Sequence, residues 1–355
     1  MRLMSSTLVI VWACTVHAGG NEVPVQAWWV DSLQQVLVGD TPPASPMTGA
    51  LHAARGEYEA IQVAVRSSTA CRVTLQAPPL GPGLEVRVRT VGRVPITRGT
   101  HHTPKEERVA EPPAELPDPL FPGAVWELAA DRTECFWLDV EVPATAAPGN
   151  YRTQVKVMAG DTVVELPLEL TVHSATVPFQ GELLLTNWFS VRPTEMNYGR
   201  VPAGSADWWT CANQLFDSMW AHRQNMFWTP LGPPFIKPVA TDDGQLSFDF
   251  TLFDAWVEAF SRARGGERKT YIEGQPIAWR EGYDGHVKAR IWRIEQGKPQ
   301  ETIIEVSDPA AREGYRIYLT ALRDHLPEQP SVRSPLPPHQ LCSVDQVFGG
   351  ERTLI

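Results

Sequence analysis

FWLDVEVPATAAPGNYRTQVKVMAGDTVVELPLELTV, residues 136–172, reads as strand, turn, strand, tight turn, strand. Phe136–Val142 alternates apolar and polar residues, and the following Pro143-Ala144-Thr145-Ala146-Ala147-Pro148-Gly149 cannot extend it, because proline lacks the amide that a ladder needs. Tyr151–Val157 and Val163–Val172 resume the alternation on either side of Gly160-Asp161, a two-residue turn of the kind that joins antiparallel strands. Working outward, Ile61, Val63 and Val65 alternate with Gln62 and Ala64, and Val86 and Val88 with Arg87 and Arg89, the period of half-buried strands. Residues 23–177 therefore read as an all-β module whose short strands and regular turns predict a β-sandwich.

The stretch Thr97–Asp131 holds Pro104, Pro112, Pro113, Pro117, Pro119 and Pro122, which exclude a central strand and predict an extended surface loop. The pattern changes after Val177-Pro178. Leu183-Leu184-Leu185 is a continuous apolar run, as in a parallel strand buried on both faces. Three amphipathic helices follow, with apolar faces Trp208/Ala212/Leu215/Phe216/Met219, Phe253/Trp256/Val257/Phe260 and Tyr315/Tyr318/Leu319/Leu322. Asn225–Trp228 and Lys269–Glu273 can serve as strands between them, which makes roughly three β/α units with parallel pairing. A (β/α)8 barrel takes about 250 residues and seldom fewer than about 200; residues 179–355 fall short of that. The expected architecture is multidomain β plus α/β: a β-sandwich over 23–177, an incomplete (β/α)8-type barrel over 179–326, and an irregular proline-rich tail over 327–355.

With 355 residues, 43% hydrophobic, the chain can bury a large core. A formal net charge of −10 with scattered Lys and Arg argues against a nucleic-acid surface, which needs clustered basic residues. Met1–Ala18 reads as a secretory signal: Arg2, an apolar Leu8–Cys14, then the small-residue site Val16-His17-Ala18. No later run is long enough to span a bilayer. The expected location is outside the cytoplasm, whether periplasmic, extracellular or at the cell surface, with a weaker lipoprotein alternative at Cys14. In such a protein Cys71 and Cys135 either pair or remain two buried thiols. No Cys/His cluster has zinc-ligand spacing, and His101-His102 lies in a proline-rich loop, so neither a metal nor another cofactor is expected.

The order of these parts resembles that of glycoside hydrolase family 123 and its relatives: exported signal, β-sandwich, (β/α)8 catalytic barrel. The resemblance rests on the closure Pro143–Tyr151, the Asp118-Pro119-Leu120 loop, His222-Arg223-Gln224-Asn225 ahead of a strand, and Tyr318–Leu326. It implies a carbohydrate partner and a parent reaction, hydrolysis of a terminal N-acetylhexosamine such as a β-N-acetylgalactosaminide. In that chemistry the substrate's acetamido oxygen attacks the anomeric carbon, a carboxylic acid protonates the leaving oxygen, and a neighbouring carboxylate orients the acetamido group. The family carries the two acids as adjacent Asp and Glu on the strand after the Tyr318–Leu326 helix. No Asp in this chain is followed by Glu. Catalytic residues therefore remain unassigned, and the amphipathic pattern stops at Leu326, as a truncation or shifted reading frame would make it. The rival reading is a non-catalytic carbohydrate-binding or surface-interaction protein.

Five residues are candidate sugar contacts. Trp188, Trp228 and Trp279 fall near strand ends, where barrels bind ligands, and flat rings suit the apolar faces of sugars; with 13 Trp in the chain, core packing stays open beside each. Asn225 lies on a strand, and Glu273 alternates with Tyr271 and Gln275 so that it could accept a sugar hydroxyl. A solvated strand-end charge is the alternative for Glu273. His222-Arg223, where a helix gives way to a strand, reads as structural. Asp242-Asp243-Gly244 reads as the turn of a small hairpin between Val239 and Leu246 rather than an acid dyad. The sugar, the linkage and the oligomeric state stay open.

Overall fold

The computed structural model describes residues 24–99, 103–179, 183–186, 201–263, 271–275, 278–280 and 287–326. The expected leader at Met1–Ala18, Trp188 and the tail 327–355 lie outside the described residues. The chain divides into two units between Phe179 and Gln180.

Among its described residues the first unit holds ten strands: β1 (Val25–Asp31), β2 (Gly49–Arg55), β3 (Tyr58–Ser67), β4 (Cys71–Gln76), β5 (Val86–Ile96), β6 (Ala114–Pro122), β7 (Val125–Leu128), β8 (Thr133–Glu141), β9 (Gly149–Ala159) and β10 (Thr162–Thr176). They form two five-stranded sheets, in the orders β1-β3-β8-β5-β6 and β2-β10-β9-β4-β7. Alternation decides which face is buried. Val63, Phe136 and Leu138 of the first sheet share one core with Val157, Leu168 and Leu170 of the second, all fully buried. Each such side chain contributes about 1.5–3 kcal/mol. β9 and β10 form the hairpin read from the sequence, turning at Gly160, whose φ of 56° suits glycine. Tyr151 donates its hydroxyl to the Ala147 carbonyl at 2.7 Å, fixing the proline-glycine turn before it.

One expectation needs correction here, and one open alternative is decided. Thr97–Asp131 is not a loop throughout, since β6 and β7 lie within it. Both sit at sheet edges, where a proline's missing amide faces no partner strand, which is why β6 tolerates Pro117, Pro119 and Pro122. Cys71 and Cys135 do not pair: both are free, one in each sheet. Burial pushes the Cys135 thiol well above its usual range, so it packs as a small apolar group.

The second unit contains α1 (Ala206–Ala221), β11 (Met226–Pro230), β12 (Lys237–Ala240), β13 (Leu246–Asp249), α2 (Thr251–Arg262), β14 (Tyr271–Gln275), β15 (Ala278–Arg280), β16 (Val287–Glu295), β17 (Lys298–Glu305) and α3 (Pro309–His325). Ser205 caps α1 by accepting the Trp208 amide, and Asp308 caps α3 by accepting that of Ala310, with Pro309 as the first helical residue. The apolar helix faces are the ones the 3.6-residue period predicts. Trp208 and Phe216 of α1 and Phe253, Trp256 and Phe260 of α2 are buried in one core with Phe227 of β11. Phe227 and Phe260 stack at 4.0 Å.

Among the described residues one β-α-β unit is complete: β11 and β14 pair in parallel, with α2 between them in the chain. Leu183–Leu185 is not the doubly buried strand expected. Leu183 is 70% exposed, and the Leu185 carbonyl accepts from the amides of Asn225 and Met226. The segment between β14 and α3 is an antiparallel sheet, β15-β16-β17, and α3 brings His325 in its last turn to Asp254 in the first turn of α2, 2.6 Å apart.

Candidate active site

The parallel pair β11/β14 places two of the sequence-derived candidates together. Its register aligns Met226 with Tyr271, Phe227 with Ile272, Trp228 with Glu273, Thr229 with Gly274 and Pro230 with Gln275. Phe227 is fully buried on the helix side, and Ile272 packs against the same core. Strand alternation therefore assigns the opposite face to the Trp228 and Glu273 positions, side by side in register. Both are described at the backbone only, as is Trp279. Trp279 lies elsewhere, on β15, paired with Lys288 of β16.

Asn225 has a different task from the one expected. It is only 6% exposed; its amide nitrogen donates to the Leu183 carbonyl at 3.0 Å and its side-chain oxygen accepts the Leu185 amide at 2.9 Å. Its carboxamide thus replaces a missing ladder between 183–185 and β11. His222 and Arg223 close α1. The Gln224 amide reaches the Met219 carbonyl and that of Arg223 reaches Trp220, with Arg223 at a φ of 61°, the left-handed residue of a helix-ending loop.

Both described connections that leave the C-terminal ends of β11 and β14 carry β structure. After β11 comes the hairpin β12/β13, turning at Asp242-Asp243-Gly244, with Gly244 at a φ of 79°. Thr241 holds Asp243 through a hydroxyl hydrogen bond that keeps its carboxyl below the usual range. An acid so readily ionised is a turn acceptor, unsuited to donating a proton to a leaving group. After β14 comes β15-β16-β17, which the periodicity reading missed. The hairpin and this sheet pack together through Phe248, Trp292 and Tyr318, whose rings lie 5.3–5.9 Å apart. Tyr318 also donates its hydroxyl to the Leu231 carbonyl, one residue beyond β11, at 2.5 Å. The result is a fixed wall beside the strand ends.

No group of three or more His, Cys, Asp or Glu among the described residues is placed to hold a metal ion. No helix among them is long and apolar enough to cross a membrane.

Residues 203–333 match the family model for the catalytic domain of glycoside hydrolase 123. That span is similar to a glycoside hydrolase 123 catalytic domain. The matched span contains β11, β14 and the wall built from their connections. A family 123 glycoside hydrolase from Clostridium perfringens, whose structure addresses glycolipid glycan hydrolysis, superposes with a TM-score of 0.65 at 12% identity. That likeness covers 86% of this chain and 57% of the clostridial enzyme, so this chain spans little more than half of its length and shares its fold. Two further solved structures align weakly: the CooA pilin subunit of enterotoxigenic Escherichia coli (TM-score 0.22, 12% identity, 42% of this chain and 98% of the pilin) and a putative alpha-galactosidase of Bacteroides fragilis (0.19, 10%, 64% and 36%). No curated protein matches the chain.

Proposed function

We propose that this glycoside hydrolase-like chain is an exported β-sandwich followed by part of a (β/α)8 barrel, and that the barrel part recognises a terminal N-acetylhexosamine without cleaving it. The observation that supports the reading is the register of β11 and β14, which pairs the backbone positions of Trp228 and Glu273 within the span matched by the family. A tryptophan and a glutamate at paired positions supply the residue types that a pyranose needs, an apolar ring and a hydroxyl acceptor. Trp188 and Trp279 are further contacts in this reading, and no cofactor takes part. Hydrolysis is the step without candidates: a substrate-assisted reaction needs an acid beside a second carboxylate, and no adjacent Asp-Glu pair exists in the sequence.

The test is calorimetric titration of the purified full chain with N-acetyl-D-galactosamine and an aryl N-acetyl-β-galactosaminide. Binding should be present in the unaltered chain and weaken about tenfold or more in Trp228→Ala and in Glu273→Gln, as loss of a stacking surface or charged hydrogen bond of about 1.4 kcal/mol would cause. Equal affinity in all three proteins would remove the assignment.

A further inference from the structure

A cleft lies in the first unit, remote in sequence from β11 and β14. It has a volume of about 520 Å³, the size range of small-molecule sites, and forms between the connection 34–47 and the edge strand β1, lined by Trp28, Val30, Gln34, Asp40, Thr41 and Ser45 among others. We propose that this cleft binds a neutral polyhydroxylated ligand, a mono- or disaccharide unit, and makes the first unit a glycan-binding module in its own right. It does not depend on the site proposed at Trp228 and Glu273.

The cleft is built in advance. Gln62 in β3 donates to the Asp31 and Gln34 carbonyls, both at 2.8 Å; Arg93 donates to the Val36 carbonyl at 2.5 Å; Thr133 donates its amide to the Val38 carbonyl and its hydroxyl to that of Asp40. Trp29 and Met47 form a backbone bridge at the other wall. Five anchors on one short connection leave little to order when a ligand arrives, which lowers the entropic cost of binding.

The lining chemistry then selects the ligand. Among the described residues no Lys, Arg or His lines the cleft and the one ionisable group is the Asp40 carboxyl, so phosphates, carboxylates and nucleotides would meet a negative charge with no cation beside it. One carboxylate oxygen of Asp40 accepts the Leu37 amide at 2.9 Å. The other, with the Gln34 carboxamide and the Thr41 and Ser45 hydroxyls, makes an acceptor-rich rim around a floor of Trp28, Val30 and Val36. Adjacent hydroxyls on a ring with an apolar face satisfy both rim and floor.

Saturation-transfer NMR on the full chain, with N-acetyllactosamine as probe and galactose 6-phosphate as anionic control, tests this. Transfer to the disaccharide and none to the phosphate is expected. Asp40→Asn keeps an oxygen for the Leu37 amide but removes the charge, and should weaken binding about tenfold. Ser45→Trp, on an exposed position that folding does not need, should fill the cleft and abolish the signal while leaving the melting temperature unchanged. A signal that survives Ser45→Trp at full strength, or one stronger with the phosphate than with the disaccharide, overturns the proposal. Absence of transfer to either probe overturns it too, and leaves the reading at Trp228 and Glu273 to its own titration.

Discussion

Arg93 and Glu134 show how much a single buried pair can hold. Each side chain is 8% exposed, and Arg93 bonds Glu134 at 3.0 Å and the carbonyls of Val36 and Thr133. Arg93→Met would leave the Glu134 charge with the part-exposed Arg132, 3.6 Å away, as its ion-pair partner, and should cost about 2–4 kcal/mol in urea unfolding. Adding Glu134→Leu should recover only part of that loss, because the two carbonyls stay without their donor; full recovery would show that the ion pair alone mattered. A second residue, Asp249, accepts both the amide and the hydroxyl of Thr251 at the start of α2, and the hydroxyl bond foremost holds its carboxyl below the usual range. The folded value is depressed, so the stabilisation exists above the ordinary aspartate range and is lost as pH falls through it. The side chain is exposed, so the effect is screened to below about 1 kcal/mol. Asp249→Asn should lower the neutral plateau of a melting-temperature profile slightly and leave the acid limb below about pH 4 nearly unmoved, so that the two curves converge in acid. A parallel downward shift at every pH would assign the bond a purely structural weight.

At the scale of elements, Gly314 explains how a sheet can sit against α3. Glycine inside a helix costs about 1 kcal/mol relative to alanine, yet an added Cβ here would lie 2.5 Å from Ile291 of β16. Gly314→Ala should therefore destabilise the chain by about 1–3 kcal/mol despite its better helix propensity, and Ile291→Ala in the same background should relieve most of the conflict. A double-mutant cycle by thermal melting that finds the two changes additive would refute the fit. This junction also marks a limit of the sequence as a guide. The helix faces were legible because Trp208, Phe216, Trp256 and Phe260 repeat at helical spacing, and the β9/β10 hairpin because Gly160-Asp161 interrupts two alternating runs. The sheet β15-β16-β17 was not read, although Gln296-Gly297, with φ values of 51° and 73°, is a hairpin turn flanked by Trp292/Ile294 and Ile303/Ile304. Buried residues fall on both parities of β16, Ile291 against α3 and Trp292 against Phe248, which erases the period-two signature. Edge strands β6 and β7 were hidden for another reason: proline excludes the middle of a sheet, not its rim.

For the whole molecule, the two halves follow different rules. In the first unit β3, β5, β8, β9 and β10 could be read from the sequence because their core is built from alternation, a local property. In the second, the candidate site depends on a register between residues 226–230 and 271–275, and no local pattern fixes a parallel register. Sequence reasoning brought Trp228 and Glu273 forward one at a time; only the pairing joins them, while Asn225, equally prominent in the sequence, went to the backbone. Cleavage demands more than this pair. Protonation of the leaving oxygen is worth about 10²- to 10⁴-fold, and a second carboxylate must hold the acetamido oxygen on the anomeric carbon. Glu273 could fill one role; the described carboxylates offer no adjacent partner on β11 or β14, and Asp242-Asp243 is engaged in its turn. The 355-residue chain should therefore hydrolyse an aryl N-acetyl-β-galactosaminide no faster than buffer, measured as released phenol over days at neutral pH. Turnover that persists through repurification and disappears in Glu273→Gln would defeat that expectation and make Glu273 the catalytic acid; turnover unaffected by Glu273→Gln would place the acid elsewhere in the chain and defeat it equally.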